Sequence, residues 1–231
     1  MTETTTHNAV QAAIVAQDAG REMYQLVSEL YPICRSITGD GVRQTLKILQ
    51  EHIPLTIHEV PSGTSVFDWT VPKEWNITDA YIKNPQGDKI VDFKKCNLHV
   101  LNYSVPFNGT ISLDELKNHV FSLPEQPDWI PYRTSYYKEN WGFCLSHNQL
   151  STLQQGEYEV LVEATLQNGH LTYGEYFLEG QSQDEILSPA MSAILLWRMT
   201  IWRRLGQRQK FICTMSVAFF KHLVAVLRQP E

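Results

Sequence analysis

The sequence predicts a mixed α/β fold, in which an α/β segment is followed by a β-rich segment and then by further strands. Three observations predict it: helical spacing of apolar residues near the N-terminus, an aromatic-rich extended stretch that begins at Pro61, and strand patterns that return after residue 157. The order of these elements indicates the fold class. We therefore divide the chain into an α/β segment (residues 1–60), a β-rich segment (61–157), returning strands (158–187) and a stretch of different character (188–231).

The N-terminal segment contains two predicted helices and one strand. The first helix covers about residues 10–31, and Pro32 ends it because a proline disfavours the helical conformation of the residue before it. A glycine-containing turn follows. The second helix has an apolar face formed by Val42, Leu46 and Leu49, and the alternating residues 55–60 predict a short strand.

Two hairpins are predicted farther along the chain. The first turns at residues 84–88, and the second turns at Asn168 and Gly169, a dipeptide typical of two-residue hairpin loops. Between them we expect a strand over residues 97–107. A short helix follows it, and Ser112 is its predicted N-cap.

Charge and composition narrow the class of protein. The net charge of −6 argues against a general nucleic-acid binder, and no apolar run approaches the roughly 18–20 residues of a membrane span. No secretory signal is recognisable, and the cysteines have no paired spacing. We therefore expect a reduced, cytoplasmic protein that binds neither nucleic acid nor membrane. The cysteines are Cys34, Cys96, Cys144 and Cys213.

The candidate binding site is the turn "RSITGDG" before the second helix. Arg35 and Arg43 lie on either side of it and Asp40 lies within it. Exposed amides at a helix N-terminus, together with guanidinium groups, can hold a carboxylate or a phosphate. The turn lacks the full spacing of a phosphate loop, so a helix cap with ordinary surface arginines is the simpler alternative. We name Arg35, Asp40 and Arg43 as candidate substrate-binding residues.

Histidines and aromatic residues define no catalytic centre in this sequence. No His-Glu-x-x-His, His-x-x-x-His or paired-cysteine motif is present, so we assign no metal ligand and no catalytic residue. His58 and Glu59 point to opposite faces of a strand, and His99 is expected to be a satisfied core histidine. The aromatic side chains favour a core built from large rings over a surface that stacks on a sugar or peptide. They are Trp69, Trp75, Trp129, Tyr132, Tyr136, Tyr137 and Trp141.

Long consecutive stretches resemble a bacterial family of zinc aminopeptidase-like proteins, whose genes often accompany polysaccharide-biosynthesis genes. The resemblance covers residues 20–187 almost continuously and is carried by "PICRSITGDGVRQTL", "IPLTIHEVPSGTSVFDWTVPKEWNI", "KIVDFKKCNLHVLNYSVPF", "LPEQPDWIPYRTSYYKENWGFCL" and "YEVLVEATLQNGHLTYGEYFLEG". It implies the N-terminal part of an aminopeptidase-like (phosphorylase/hydrolase-like) α/β domain, interrupted by a β-rich domain of unknown function. A winged helix follows in full-length members.

The family also implies a zinc site. After a strand like "DEIL", its members continue with Ile/Val-Ser-x-His-Val-Cys-His-Pro-Ser-Leu-Ala-Asn-Asp-Asn-Leu, in which the first His and the Asp are the expected ligands. The metal would activate a water for attack on a peptide or amide carbonyl. This sequence departs from the family at Ser188. The resemblance therefore implies zinc and a peptide or amide substrate for full-length relatives, and no cofactor for this chain.

The departure at Ser188 fits a shift of reading frame. Residues 1–185 hold 12 Lys and Arg against 24 Asp and Glu, whereas residues 186–231 hold 7 against 1. If one base were lost after the codon for Leu187, each original codon would be the third base of one present codon plus the first two of the next. Met and Trp codons fix that third base as G. The junctions after Met191, Trp197 and Met199 then give Val, Ala and Asp, the family residues, when Ser and Arg use their four-codon blocks.

We therefore interpret residues 188–231 as out-of-frame translation. Three functions remain open from the sequence. The favoured one is a truncated, inactive member of the hydrolase family. The second is a stand-alone β-rich module that binds a glycan or a peptide, and the third is a basic tail that contacts a membrane surface.

Overall fold

The computed structural model describes residues 20–136, 138–178, 185–189 and 208–212. These residues belong to two compact units. The first unit draws on the segments Met1–Ile33, Val42–His58 and Tyr173–Glu231, and the second unit draws on Cys34–Gly41 and Glu59–Thr172. Helices and sheets are both present, so the predicted mixed α/β class is confirmed.

The elements follow one another as short pieces. In chain order they are α1 (residues 20–30), α2 (Asp40–Gln50), β1 (Thr56–Pro61), β2 (Ser65–Val66), β3 (Trp69–Thr70), β4 (Glu74–Lys83), β5 (Lys89–Asp92), a 3₁₀ helix (Asn97–His99), β6 (Phe107–Ser112), α3 (Leu113–Leu116), a 3₁₀ helix (Lys117–His119), β7 (Val120–Phe121), β8 (Phe143–Cys144), α4 (His147–Ser151), β9 (Glu157–Gln167), β10 (His170–Leu178), β11 (Glu185–Pro189) and β12 (Arg208–Ile212). Within the described residues, none of the helices has the length and apolar character needed to span a bilayer.

The two predicted helices form the core of the first unit. α1 ends two residues before Pro32, and each helix buries the apolar side that its spacing predicts. The first ten residues of the predicted α1, residues 10–19, lie outside the described residues. The buried cluster consists of Leu26, Leu30, Val42, Leu46, Leu49, Ile53 and Leu55.

A four-stranded sheet has the strand order β1-β10-β12-β11. β10 and β12 are antiparallel, and β11 and β12 are parallel. β12 belongs to the stretch of different character that begins at residue 188. The backbone of that stretch therefore contributes a strand, whatever its reading frame.

The second unit is built around a four-stranded antiparallel sheet with the order β5-β4-β9-β6. Alternate residues of a strand face opposite sides, so one face of this sheet is apolar and buried. β9 lies between β4 and β6 and therefore connects the two halves of the sheet. The core includes Ala80, Ile82, Ile111, Leu113, Leu116, Trp141, Phe143, Leu145, Tyr158, Val160 and Val162.

Local side-chain chemistry produces the first hairpin and the cap of α3, and both predictions are confirmed. The Asn84 Oδ1 atom accepts hydrogen bonds from the amides of Gln86 (3.1 Å) and Asp88 (2.8 Å), and Gly87 supplies a φ of +87°. The Ser112 Oγ atom accepts from the Glu115 amide at 3.3 Å.

The predicted hairpin at Asn168 and Gly169 is wrong. β9 pairs with β4 and β6, whereas β10 pairs with β1 and β12. A type I′ turn requires positive φ at both central residues, and neither of these two has one. Gly169 instead donates its N–H to the Ser62 Oγ atom at 3.1 Å, and its open side faces the Glu74 carboxyl group. The turn carries the chain from one sheet to the other.

The predicted strand over residues 97–107 is also wrong. A 3₁₀ helix occupies Asn97–His99, and only isolated bridges follow at Val100 and Asn102. Tyr103 adopts a φ of +72°, which no strand residue adopts, so the backbone turns before β6 begins. The apolar residues of this stretch therefore indicate burial, but they do not form a strand.

The second unit extends past residue 157, where the sequence analysis ends the β-rich segment. β9 begins at that residue and pairs along its length with β4, and the unit continues to Thr172. The unit also includes the turn Cys34–Gly41, which comes from the N-terminal segment of the sequence.

Candidate functional site

The turn at residues 34–41 packs against the start of β4 within the second unit. Gly39 has a φ of +99°, and a Cβ atom there would collide with the carbonyl oxygen of Trp75. A Cβ atom on Gly41 would collide with the carbonyl oxygen of Cys34. The two glycines of "RSITGDG" are therefore required by close backbone contacts, in one case with β4 and in the other within the turn.

Thr38 connects the turn to Trp75. The Thr38 Oγ1 atom accepts a hydrogen bond from the Trp75 amide at 3.1 Å and donates one to the Lys73 carbonyl at 3.3 Å. The Tyr103 hydroxyl donates to the same carbonyl, and the Trp75 indole donates to the Ser104 carbonyl at 2.8 Å. These bonds are buried or partly buried, so they fix the turn on β4.

A second network caps α2. Asp40, the first residue of the helix, donates its N–H to the Asn76 Oδ1 atom at 2.7 Å. The Asn76 Nδ2 atom donates to the Glu74 carboxylate at 3.2 Å, and that carboxylate also accepts from the His170 backbone N–H at 3.1 Å. Gly39 has no side chain that could cap the helix. Asn76 on β4 therefore supplies the acceptor that a helix N-terminus needs.

Arg35 lies in the interior of the second unit, with 6% of its surface exposed. Burial lowers the pKa of its guanidinium group, and the nearby Cys34 and Tyr132 side chains oppose that shift. Burial raises the pKa of the Cys34 thiol to about 12 and also raises the pKa of the Tyr132 hydroxyl, which lies 3.4 Å from the Tyr136 hydroxyl. These two neighbours of Arg35 are therefore polar and uncharged near pH 7.

The three candidate binding residues have different environments. Arg35 is buried and Asp40 is exposed, both in the second unit, whereas Arg43 is half-buried and belongs to the first unit. Arg35 is thus not the ordinary surface arginine that the sequence analysis weighed as the simpler alternative. A role of these residues in substrate binding stays a prediction.

Three polar residues around the turn were not identified from the sequence, and a fourth, Tyr132, was identified only as one of the aromatic side chains. Glu74 and Asn76 are alternate residues at the start of β4 and share one face, which is a signal that a polar pair on a strand offers. Asn102, whose Nδ2 atom donates to the Arg35 carbonyl at 3.0 Å, and Tyr132 lie in irregular segments. No local sequence pattern predicts that these two residues lie near the turn.

Two of the aromatic side chains belong to the core, as predicted, whereas Trp69, Tyr132 and Tyr136 are half-buried. Trp75 is 2% exposed and Trp141 is 8% exposed. The Trp141 ring stacks on Phe107 and on His119, with ring centroids 4.0 and 3.8 Å apart. Trp129, in contrast, is exposed. Tyr137 lies outside the described residues.

The histidines take part in local contacts. His99 is satisfied as predicted, since its Nδ1 atom lies 2.9 Å from the Cys144 carbonyl oxygen. In the first unit, His58 stacks on Tyr173, and its Nε2 atom lies 3.2 Å from the Glu175 carboxylate. This is an ion-pair distance, although the orientation is not that of a hydrogen bond.

The described residues do not fit a zinc ion. A protein zinc site takes three or four nitrogen, sulfur or oxygen ligands. Among the residues that the structure describes, no group of three or more His, Cys, Asp or Glu side chains could hold a metal. The close pair of His58 and Glu175 offers two ligands at most.

Comparison with known protein families finds a match for the β-rich sheet of the second unit. Residues 74–165 match the domain of unknown function DUF2172. These residues contain β4, β5, β6 and almost all of β9, which are the four strands of the sheet in the second unit.

Two comparisons find similarity to Clostridium acetobutylicum over a longer region. A search by sequence finds a "Putative polysaccharide biosynthesis protein with aminopeptidase-like domain", which is 57% identical over 172 residues, 74% of this chain and 40% of that protein. A search by structure finds a crystal structure of a "putative peptidase", with a TM-score of 0.72 and 54% identity over 80% of this chain and 43% of that one. The chain thus spans less than half the length of the matched protein in each comparison.

Proposed function

We propose that this chain is a truncated member of a zinc-dependent, aminopeptidase-like hydrolase family and that it has no peptidase activity of its own. Residues 20–187 would supply the part of the hydrolase that lacks metal ligands. The zinc ligands would be encoded after residue 187, in a frame that the chain does not read. The substrate of the full-length enzyme would be a peptide or another amide.

The sequence and structure matches support the family. Identity of 57% over 172 residues is too extensive to reflect only a shared fold type, and the name of the sequence relative mentions an aminopeptidase-like domain. A fold alone does not define a function. The support for hydrolase ancestry therefore rests on the sequence identity and on the names of those relatives.

The observation that carries the proposal is the codon phase of residues 188–202. Read with one base restored after codon 187, "SPAMSAILLWRMTIW" permits Ile-Ser-Cys-His-Val-Cys-His-Pro-Ser-Leu-Ala-Asn-Asp-Asn-Leu. The junctions after Met191, Trp197 and Met199 have a fixed third base; the last agrees with the family for every threonine codon, and the first two agree when Ser192 and Arg198 use their four-codon blocks. The junction after Met199 yields the expected Asp ligand of zinc.

The strand β12 does not conflict with this reading. Its pairing with β10 and β11 uses backbone groups, which every non-proline residue possesses. An out-of-frame peptide can therefore form a strand without preserving any side chain of a zinc site.

The test begins with the nucleotide sequence across codons 180–231. We expect one inserted base after codon 187 to open a frame that encodes His-Val-Cys-His-Pro. The protein made from the restored gene should contain zinc by plasma mass spectrometry and should hydrolyse leucine p-nitroanilide. Dipicolinate, a zinc chelator, should abolish this hydrolysis.

The matched control is the present chain, purified and assayed in parallel. It should show no zinc-dependent hydrolysis. A gene whose shifted frame lacks the His-Val-Cys-His-Pro stretch would overturn the frameshift. Clear zinc-dependent hydrolysis by the present chain would overturn the proposed inactivity.

A further inference from the structure

One edge of β9 is left open by the strands that the structure describes. Residues 163–167 pair with β4 on one side, but the ladder with β6 stops at the pair of Val162 and Phe107. Pro106 precedes β6 and has no N–H to extend the ladder. The chain turns away there, and the Val105 N–H donates to the Asn140 carbonyl at 3.0 Å. Alternate backbone groups of residues 163–167 therefore face away from β4 without a strand partner.

A small pocket adjoins this edge. It has a volume of about 110 Å³, and Leu166 of the open edge forms one of its walls. Apolar and aromatic groups form most of the lining, which also includes one basic and one acidic residue. The apolar and aromatic walls are Leu166, Val105, Tyr103 and Tyr136, and the polar lining residues are Ser135, Lys138 and Glu139.

The two tyrosines make the pocket a preformed corner. Their rings meet edge to face, with centroids 5.4 Å apart and planes at 84°. Tyr103 holds a φ of +72°, a strained conformation for a bulky residue, and its hydroxyl bond to the Lys73 carbonyl fixes the ring. A corner of this shape fits an apolar side chain, whereas a sugar ring stacks on an open aromatic face.

The opposite face of the same edge is acidic. Glu163 stands directly across from Asp79 in the ladder of β9 and β4, and like charges in such a pair repel. Lys94 forms an ion pair with Asp79 at 2.9 Å and also attracts Glu163 at longer range, and Glu163 accepts a hydrogen bond from the Thr78 hydroxyl at 2.7 Å. A cationic side chain beside Glu163 would lower the remaining repulsion.

We propose that this edge binds an extended peptide segment by strand addition. The backbone of the peptide pairs with residues 163–167, and an apolar side chain enters the pocket beside Leu166. The next residue of the peptide toward Glu163 lies opposite Thr165 and points to the other face, where a lysine or arginine side chain is long enough to reach diagonally to Glu163. Strand addition of this kind combines backbone hydrogen bonds for affinity with a side-chain pocket for specificity. The inference concerns the DUF2172 sheet and is independent of the hydrolase proposal and of the reading frame.

The test measures fluorescence anisotropy of a capped, fluorescein-labelled peptide, Thr-Lys-Leu-Lys-Thr, against the full chain. Saturable binding is expected. Methylation of the backbone nitrogens on either side of the peptide leucine should weaken binding at least about tenfold, because it removes the ladder hydrogen bonds. Replacement of that leucine by alanine should weaken binding by a similar factor, since the pocket is then unfilled.

Variants of the chain locate the site. Leu166→Ala should weaken binding about tenfold, whereas Leu161→Ala, on the same strand within the part that β6 covers, should leave binding unchanged. Glu163→Gln should weaken binding about threefold and reduce its salt dependence. Circular dichroism establishes that each variant folds. If Leu166→Ala does not fold, the comparison of methylated and unmethylated peptide on the unaltered chain decides.

Several results would overturn the proposal. These are equal binding of the methylated peptide, unchanged binding by a folded Leu166→Ala variant, and no saturable binding at all. Displacement of the peptide by a neutral oligosaccharide would assign the surface to a glycan instead. Sedimentation that shows a dimer abolished by Leu166→Ala would assign the edge to a second copy of the chain.

Discussion

At the scale of single residues, Gly39 is the position where the turn depends most on its residue type. Its φ of +99° disfavours any side chain, and its Cβ position is occupied by the Trp75 carbonyl oxygen. Gly39→Ala should therefore lower the free energy of unfolding by at least about 3 kcal/mol, since conformational strain and a collision add. Urea unfolding followed by tryptophan fluorescence measures the change.

Gly87→Ala is the matched control for that substitution. Gly87 has a similar φ of +87°, but no atom lies within 4 Å of its Cβ position. It should lose only the strain contribution, about 1 kcal/mol. If both variants lose the same stability, the close contact with β4 does not exist as described.

Residue roles were predictable where the cause is local. Ser112 precedes an acidic first turn, and its capping bond forms three residues away in sequence. Arg35 was selected correctly as a residue of interest, but its burial follows from Asn102 and Tyr132, which lie 67 and 97 positions farther along the chain. A single sequence read locally contains no signal for such neighbours.

At the scale of elements, the cap of α3 makes a prediction that tests the local argument. α3 has only four residues, so its first turn depends on the bond between the Ser112 hydroxyl and the Glu115 amide. Ser112→Ala should lower the free energy of unfolding by about 1 kcal/mol. Ser112→Asp should restore most of the loss, because a carboxylate is an equally good N-cap acceptor. Urea denaturation of both variants makes the comparison, and a lack of rescue by Asp would contradict capping as the cause.

The two predicted hairpins show which part of strand pairing is local. The turn at residues 84–88 succeeds because the Asn84 side chain organises it without help from distant residues. The turn at Asn168 and Gly169 has an equally suggestive sequence, yet β9 and β10 enter different sheets. The Glu74 carboxyl group and Ser62 hold this turn from outside. Turn residues thus indicate where the chain reverses, while distant partners decide which strands pair.

At the scale of the whole molecule, the second unit is discontinuous in sequence. The mixed α/β class and the change of character near Pro61 are predictable from the sequence. The joining of residues 34–41 to the β-rich sheet is not, because Thr38 and Asp40 bond to Trp75 and Asn76, which lie 36 or more positions away. The candidate binding turn was thus recognised from its glycines and arginines, but the unit to which it belongs was not.

The position of β9 leads to a prediction about which fragment folds. β9 is an internal strand, paired with β4 on one side and β6 on the other, and it contributes Val160 and Val162 to the core. A fragment of residues 34–172 should therefore unfold cooperatively in urea, whereas a fragment of residues 34–157 should not, although only fifteen residues at one end distinguish them. Cooperative unfolding of the shorter fragment would contradict the internal position of β9.

A third fragment, residues 59–172, separates the contribution of the turn from that of the sheet. It keeps all four strands but loses Thr38, so the buried amide of Trp75 has no acceptor, and Asn76 has no helix to cap. A buried donor without a partner costs about 1–3 kcal/mol, so this fragment should fold but be less stable than residues 34–172 by roughly that amount. Equal stability of the two would mean that the turn is an attachment to the sheet and no part of its folding unit. The midpoints of their urea transitions, followed by the emission of Trp75 and the other tryptophans, give the answer.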